Sequence, residues 1–250
     1  MNKILIIGDS CLDEYIYCKT NRFCPDAPVP ILKPESFVST LGMAGNVKDN
    51  LEALETEVTL ISNANKIKKT RYVDDRTNHM FVRIDEGEDD VFPIAKKSLE
   101  DIAWEEFDAV IISDYCKGFI DEETIQYISE QHPLTFLDTK KTLGDYVDKI
   151  TFIKINDVEY KYNKDTLSPY WSEKMIITRG SGGAEYGKMT YPVEEVVVKD
   201  TSGAGDTFLA GLVYQYLITK NIHKSIIYAN KCATQVVQKK GTAKIKKTEL

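Results

Sequence analysis

Short, mainly apolar runs punctuate the chain. It opens on Ile4-Leu5-Ile6-Ile7, closed by Gly8-Asp9, and similar runs recur at Ala109–Ser113, Leu134–Leu137, Thr151–Ile155 and Met175–Thr178. Each is too short for a helix, and mainly apolar character over so short a run marks a strand buried on both faces. Val58–Ser62 is a further strand. Helical spacing lies between these runs: Val47, Leu51 and Leu54 share one face of residues Gly42–Leu54, and the acidic start Asp121-Glu122-Glu123 favours a helix running to about Gln131. Two amphipathic helices, Asp206–Ile218 and Lys224–Gln238, are predicted near the end, joined at Lys220-Asn221 and stopped by Lys239-Lys240-Gly241. Strands alternating with helices predict an α/β fold with a mostly parallel central sheet covered on both faces.

Two segments break this rhythm. Cys18–Thr40 carries Pro25, Pro28, Pro30 and Pro34 and reads as irregular, since prolines at this density exclude a helix and fit turns and edge strands. The basic segment Lys66–Arg71 leads into Tyr72–Asp85, which alternates loosely and predicts an edge-strand pair. Together they predict a small β lid, from segments about 14–40 and 71–86, on a single domain spanning residues 1–250. Tyr15, Tyr17 and Phe37 are assigned to the lid's core. Exposed lid edges predict pairing between protomers, hence a homodimer through the lid.

Composition narrows the partners. A 250-residue chain with 42% hydrophobic and 28% charged residues can bury one substantial core. A formal net charge of -7 argues against nucleic acid and anionic membranes as partners, leaving a small molecule. No apolar stretch approaches a membrane span, and the first one is too short for a secretion signal. Five cysteines without a CxxC pair, and three scattered histidines, read as reduced thiols in a cytoplasmic protein without a Cys/His metal centre.

The most informative string is Asp200-Thr201-Ser202-Gly203-Ala204-Gly205-Asp206-Thr207, directly before an apolar helix. Glycines at a helix start let backbone approach a ligand, and the free N–H groups of the first turn attract an anion. An aspartate there stands at the mouth of the anion site, placed to take a proton from an attacking hydroxyl. The Walker pattern GxxxxGK[ST] is absent, and the first turn, Gly8-Asp9-Ser10-Cys11, lacks the G-x-G-x-x-G of a dinucleotide-binding dehydrogenase.

Asp-Thr-x-Gly-Ala-Gly-Asp resembles the C-terminal motif of the ribokinase-like (PfkB) sugar kinases, and the likeness extends in order along nearly the whole chain. It implies a three-layer α/β domain with a β lid, and transfer of phosphate from ATP with Mg²⁺, admitting a monovalent cation. Gly203, Ala204 and Gly205 would form the anion hole and Asp206 would be the catalytic base. Asp13, Gly42 and Asn46 would bind the sugar, through Gly8-Asp9…Leu12-Asp13 and Gly42-Met43-Ala44-Gly45-Asn46. Asn156-Asp157-Val158-Glu159 matches an NxxE motif, with Glu159 organising Mg²⁺ indirectly. Asn156, Thr178, Arg179, Gly180, Ser202, Asn230 and Gly241 would line the nucleotide side. Within the family, Pro25-Asp26-Ala27-Pro28-Val29-Pro30, Ser113-Asp114-Tyr115-Cys116-Lys117-Gly118 and Leu137-Asp138-Thr139-Lys140 are similar to the heptose 7-phosphate kinases of ADP-heptose synthesis. That likeness implies a phosphorylated acceptor, for which Arg22, Arg83, Lys117 and Lys140 are the candidate cations. Met43 departs from the pattern, standing where the family has a second glycine, and the stretches at 63–70 and 160–174 are shortened. Another sugar kinase of the family, for ribose, fructose or fructose phosphate, and a non-catalytic sugar or nucleotide sensor are the alternatives.

Overall fold

The computed structural model describes residues 1–165 and 167–249. Thr166, inside the shortened 160–174 stretch, and Leu250, the last residue of the expected domain, lie outside the described residues. In chain order the elements are β1 (Lys3–Gly8), β2 (Ser10–Phe23), β3 (Pro30–Met43), α1 (Ala44–Ala53), β4 (Glu57–Ser62), β5 (Ile67–Asp74), β6 (Met80–Glu86) and α2 (Lys96–Glu100). Then come β7 (Ala109–Asp114), α3 (Glu122–Gln131), β8 (Thr135–Thr139), β9 (Phe152–Asn156), α4 (Asp157–Asn163), β10 (Met175–Thr178), β11 (Ala184–Tyr186), β12 (Met189–Tyr191), α5 (Ala204–Thr219) and α6 (Ile222–Val236).

The larger sheet has the order β12-β11-β10-β9-β8-β7-β1-β4. Its strands run parallel from β10 to β4, and β11 and β12 close one edge as an antiparallel hairpin. The apolar runs divide residue by residue between two cores, because successive strand side chains point to opposite faces. Ile4, Ile6, Ile111, Phe136 and Phe152 pack under α1, α5 and α6. Leu5, Ile7, Ile112, Leu137 and Ile153 pack against α3, Trp104 and Tyr146. Tyr216 of α5 meets Phe136 and Phe152 edge-on, with ring centroids 5.7 and 5.0 Å apart. Burying each such side chain contributes about 1.5–3 kcal/mol.

Helix α5 differs from expectation. It is not amphipathic: every residue from Asp206 to Val213 is buried, since α1, α6 and the sheet enclose it. Its apolar character all round is that of a core helix. Helix α6 keeps one exposed face and starts at Ile222, where the Asn221 side chain accepts the Lys224 N–H. Among the described residues, no helix is long and apolar enough to cross a membrane.

The smaller sheet has the order β3-β2-β5-β6. β2 pairs antiparallel with β3 and parallel with β5, and β6 returns antiparallel to β5. Cys18–Thr40 is therefore not irregular: β2 and β3 run through it as a long hairpin. The prolines sit where strands tolerate them, Pro30 at the start of the outer strand β3 and Pro34 at a register slip opposite Cys18. The basic segment, from Ile67 onward, lies in β5, an inner strand, because β6 covers its free edge. Tyr15 is buried beneath the sheet, whereas Phe37, expected in the same core, is 59% exposed. The register explains this: Phe37 pairs with Ile16, on the face opposite Asp13 and Tyr15.

The β3–α1 junction carries a conformational cost. Met43 has φ 57 and ψ −132, a combination that suits glycine, yet its side chain is buried against Cys11 and Ile67. Strain of this kind costs about 1–3 kcal/mol. Met43→Ala keeps the strained backbone and loses the buried side chain, which should destabilise the fold by about 2–4 kcal/mol. Met43→Gly loses the same packing but releases the strain. It should be the more stable of the two variants by about 1 kcal/mol, the reverse of the usual order. Urea unfolding of both variants checks this, and an alanine variant at least as stable as the glycine one would show that the junction stores no strain.

Candidate active site

The Asp200–Asp206 string forms a tight turn into α5. Gly203 stands at the helix start with φ 76, where a Cβ would come within 2.5 Å of the Asn46 Nδ2. Only glycine combines that backbone with that neighbour. Asp200 braces the turn: one carboxylate oxygen accepts the Ser202 N–H at 2.9 Å and the other the Gly241 N–H at 3.0 Å. The Ala204 N–H is turned to the Thr201 carbonyl. The N–H groups of Gly205 and Asp206 are then the first-turn donors that a bound anion could use.

Asp206 is 4% exposed, and each of its carboxylate oxygens has a side-chain donor. The Tyr115 hydroxyl donates to Oδ1 at 2.5 Å, and the Asn46 Nδ2 donates to Oδ2 at 3.0 Å. Asn46 is itself oriented by Asn50, whose Nδ2 donates to both its carbonyl and its Oδ1. Burial pushes the Asp206 carboxyl from its ordinary 3.8 up to about 6, against the downward pull of Tyr115 and Asn46. Below the helix start lies a buried ion pair, Lys154 Nζ to Asp138 Oδ2 at 2.7 Å. Lys154 comes within 3.0 Å of the place a Cβ on Gly205 would occupy. A buried ammonium beside the positive end of a helix makes a pocket that favours negative charge.

On the side of the smaller sheet, Asp13 is 8% exposed and takes Arg71 Nη1 on its Oδ1 at 2.6 Å. Arg71 also covers the Tyr15 ring, 5.0 Å from its centroid. Gly42 has no room for a side chain, because a Cβ there would fall on Asp13 Oδ2. The buried Cys11 thiol, pushed up to about 12 chiefly by burial, lies within electrostatic reach of Asp13, Lys69, Asp206 and Arg71. Asp13, Gly42, Asn46 and Asp206 thus gather in one place. Of the four cations singled out from the sequence, Lys140 lies within electrostatic reach of Asp206 and Arg83 stands opposite Arg71 in the register, but each is held by a carboxylate. Lys117 pairs with Glu88 at 2.6 Å, and Lys140 pairs with Glu159 and covers the Tyr115 ring. Arg83 is an exposed partner of Asp85, and Arg22 is exposed nine residues beyond Asp13, roughly 30 Å along the strand.

On the other side of α5 opens a cavity of about 510 Å³. Thr178, Gly180 and Asn230 line it with Ala204, Gly205 and the apolar walls Val193, Val196, Phe208 and Val237. Glu194 and Glu195 also face it. Asn156, Arg179, Ser202 and Gly241 stand outside its lining. Arg179 is held by Asp157 and Glu185 and lies over the Tyr160 ring. The NxxE segment is a capping box: Asn156 Oδ1 accepts the Val158 and Glu159 N–H groups, and Glu159 accepts the Asn156 N–H.

Sequence reasoning gave no site role to Tyr115, Asp138, Lys154, Lys69, Arg71, Glu194 or Glu195. Lys154 is the one with a readable signal, a charge inside an otherwise apolar strand. The rest come together only through strand register and loop geometry.

A model of the pfkB family of carbohydrate kinases matches residues 46–249. The chain belongs to that family. The bifunctional protein HldE of a Nitratiruptor species is 30% identical over 298 aligned residues, covering 96% of this chain and 62% of that protein. HldE of Helicobacter pylori is 30% identical, over 97% of this chain and 64% of its own. This chain thus spans somewhat under two thirds of the length of these relatives. The structure of Arabidopsis thaliana ribokinase complexed with ribose and ATP superposes with a TM-score of 0.69 at 13% identity, covering 99% of this chain and 97% of that one. This likeness establishes the ribokinase-like fold.

The raised Asp206 carboxyl has a consequence for stability. The folded state holds this proton more tightly than the unfolded chain, so stability falls as pH rises from about 4 through about 6. Asp206→Asn keeps the shape and removes the charge. At pH 8 it should be more stable than the natural chain by roughly 1–3 kcal/mol, with the gap closing below about pH 4. Thermal melts across pH test this; a gap that does not change with pH would contradict it.

Proposed function

We propose that the chain is a MgATP-dependent kinase acting on a hydroxyl of a phosphorylated sugar, with a heptose 7-phosphate, taken at its anomeric hydroxyl, as the preferred acceptor. The observation that carries the reading is the buried Asp206 carboxylate, held by Tyr115 and Asn46 at the start of α5 beside the cavity. Asp206 takes the acceptor proton. The Gly205 and Asp206 N–H groups, on the turn that Gly203 and Ala204 make, hold the charge that builds on the transferring group, and Lys154 adds to that field. Asp13, Gly42 and Asn46 face the sugar.

The residues present fit ATP. The cavity has a size usual for ligand sites, apolar walls for a base and glycine backbone at its phosphate end. Thr178, Gly180 and Asn230 would contact the nucleotide directly, with Asn156, Arg179, Ser202 and Gly241 supporting them. Bound ATP would supply the phosphoryl group. Among the described residues no cluster of three or more His, Cys, Asp or Glu could hold a metal by itself. Glu159 would therefore serve Mg²⁺ through water and phosphate oxygens, having given its carboxylate to Asn156 and Lys140. A monovalent cation belongs to the same reading.

The phosphorylated acceptor is supported by the HldE relatives, by the heptose-kinase-like strings, and by Lys69 and Lys117 converging on Glu88 near Arg71. Arg22, exposed and remote from Asp13, is the weakest of the four candidates for its phosphate; Arg83, Lys117 and Lys140 would each have to release a carboxylate partner. A smaller acceptor is the second reading, favoured by Met43, whose side chain adds bulk at the β3–α1 junction. The smaller sheet acts as a lid, with segments 14–40 and 71–86, on one domain spanning 1–250. A second copy of the chain covers its outer face, where Phe37, Val82 and Ile84 are exposed. Light scattering that finds a monomer at micromolar concentration would remove the dimer. Five free cysteines support a cytoplasmic location.

A coupled assay with heptose 7-phosphate, fructose 6-phosphate and ribose tests the acceptor. The phosphorylated sugars should lead ribose in kcat/KM by roughly ten- to a hundred-fold, the worth of a charged hydrogen bond. Ribose outrunning both would sink the phosphate acceptor. Asp206→Asn should lower turnover by about two to four orders of magnitude with ATP binding nearly intact. Retention of more than about a third of turnover would remove Asp206 as the base.

A further inference from the structure

Tyr115 has a role that the transfer chemistry alone does not assign. It follows β7, on a loop held unusually tightly. Asp9, itself buried, accepts the Tyr115 N–H at 2.7 Å and the Lys117 N–H at 3.2 Å on one carboxylate oxygen. Cys116 takes φ 54 to turn the chain between them. The Tyr115 ring packs against the Cys11, Met43 and Ile67 cluster, and Lys140 lies 5.1 Å from its centroid. Backbone, ring face and hydroxyl are thus all constrained, and the hydroxyl ends on Asp206 Oδ1.

We propose that Tyr115 is a positioning residue for Asp206: its hydroxyl, opposite the Asn46 amide, fixes the plane of the carboxylate and holds it ionised for proton transfer. The proposal rests on reading Asp206 as the base. With a donor on each oxygen, the carboxylate cannot turn about its terminal bond without breaking both contacts. Each oxygen accepts one side-chain bond here and has capacity for another, so the acceptor hydroxyl can approach without displacing Tyr115. A phenol also suits the task because it stays a donor. Burial, with the Asp206 and Asp138 charges, pushes its own ionisation well above the usual range. The other groups facing Asp206 are Asp138 on β8, Lys154 on β9, Lys140 after β8 and Cys11 on β2. Asp138 raises the carboxyl and Lys154 lowers it, and Tyr115 and Asn46 stand ahead of both in countering its burial.

Tyr115→Phe keeps the ring and removes the hydroxyl. The acid limb of kcat against pH should move up by about one unit, and kcat below that limb should fall about tenfold. The two enzymes should converge at alkaline pH, with KM for ATP unchanged. Substituting 3-fluorotyrosine at position 115, a stronger donor of nearly the same shape, should move the limb the other way. It also decides the matter should the phenylalanine variant fail to fold. A second readout is independent of turnover: ¹³C NMR titration of the Asp206 carboxyl, identified by its loss in Asp206→Asn, should show the same displacements. If the natural chain phosphorylates no sugar while the carboxyl midpoint still moves, the kinase reading fails and the role of Tyr115 at Asp206 stands. An unmoved midpoint in both variants would overturn the proposal, as would a uniform loss of kcat at every pH, which a packing role alone would give.

Discussion

Putting a carboxylate out of reach of water at the start of a buried helix is the constraint around which this molecule is arranged. An unpaired buried charge would cost several kcal/mol or lose its ionisation. Asp206 keeps hydrogen bonds on both oxygens because three separate parts of the chain converge on it. Helix α1 brings Asn46, locked by Asn50 in the next turn. The loop after β7 brings Tyr115, locked by Asp9 from the end of β1. The turn before α5 brings the carboxylate itself, locked by Asp200. The parallel sheet makes the convergence feasible, because β1 and β7 are neighbours and their following loops emerge at the same edge.

The same geometry relates the two sides of the site. Asp206 separates the cavity lined by Gly180, Asn230 and Phe208 from the Asp13–Arg71 pair on the smaller sheet. Gly241 ties the two together: its N–H binds Asp200, and Tyr15 and Tyr17 of β2 lie in van der Waals reach of where a Cβ on it would stand. On the proposed reading, nucleotide and acceptor would meet across one carboxylate. The buried Asp138–Lys154 pair beneath is a costly element whose cation lies next to Gly205, where the added positive field would be of use.

Much of this was legible in the amino-acid sequence because its physics is local. Parallel strands buried on both faces announce themselves as apolar runs, and the glycines of the Asp200–Asp206 turn follow from backbone conformation. What was not legible depends on long-range placement. The enclosure of α5 depends on its neighbours, which the spacing of residues along Asp206–Ile218 does not show. Prolines in Cys18–Thr40 hid two long strands, since an edge strand with a register slip tolerates them. Tyr115 stood in a recognised string without a role, because only the turn at Cys116 aims its hydroxyl at Asp206. Arg22 and Arg83 were singled out for charge and segment; strand length carries Arg22 far from Asp13, and Arg83, opposite Arg71 in the register, is tied to Asp85.

The central claim is that the start of α5 receives a phosphoryl group and Asp206 the acceptor proton. A crystal structure with Mg²⁺, a non-hydrolysable ATP analogue and heptose 7-phosphate tests it most directly. The terminal phosphate should lie within hydrogen-bond distance of the Gly205 and Asp206 N–H groups, about 2.7–3.2 Å. The sugar's anomeric hydroxyl should lie between that phosphate and the Asp206 carboxylate, with Tyr115 still on Oδ1. Phosphates bound away from the helix start, or a sugar hydroxyl out of reach of Asp206, would contradict the account.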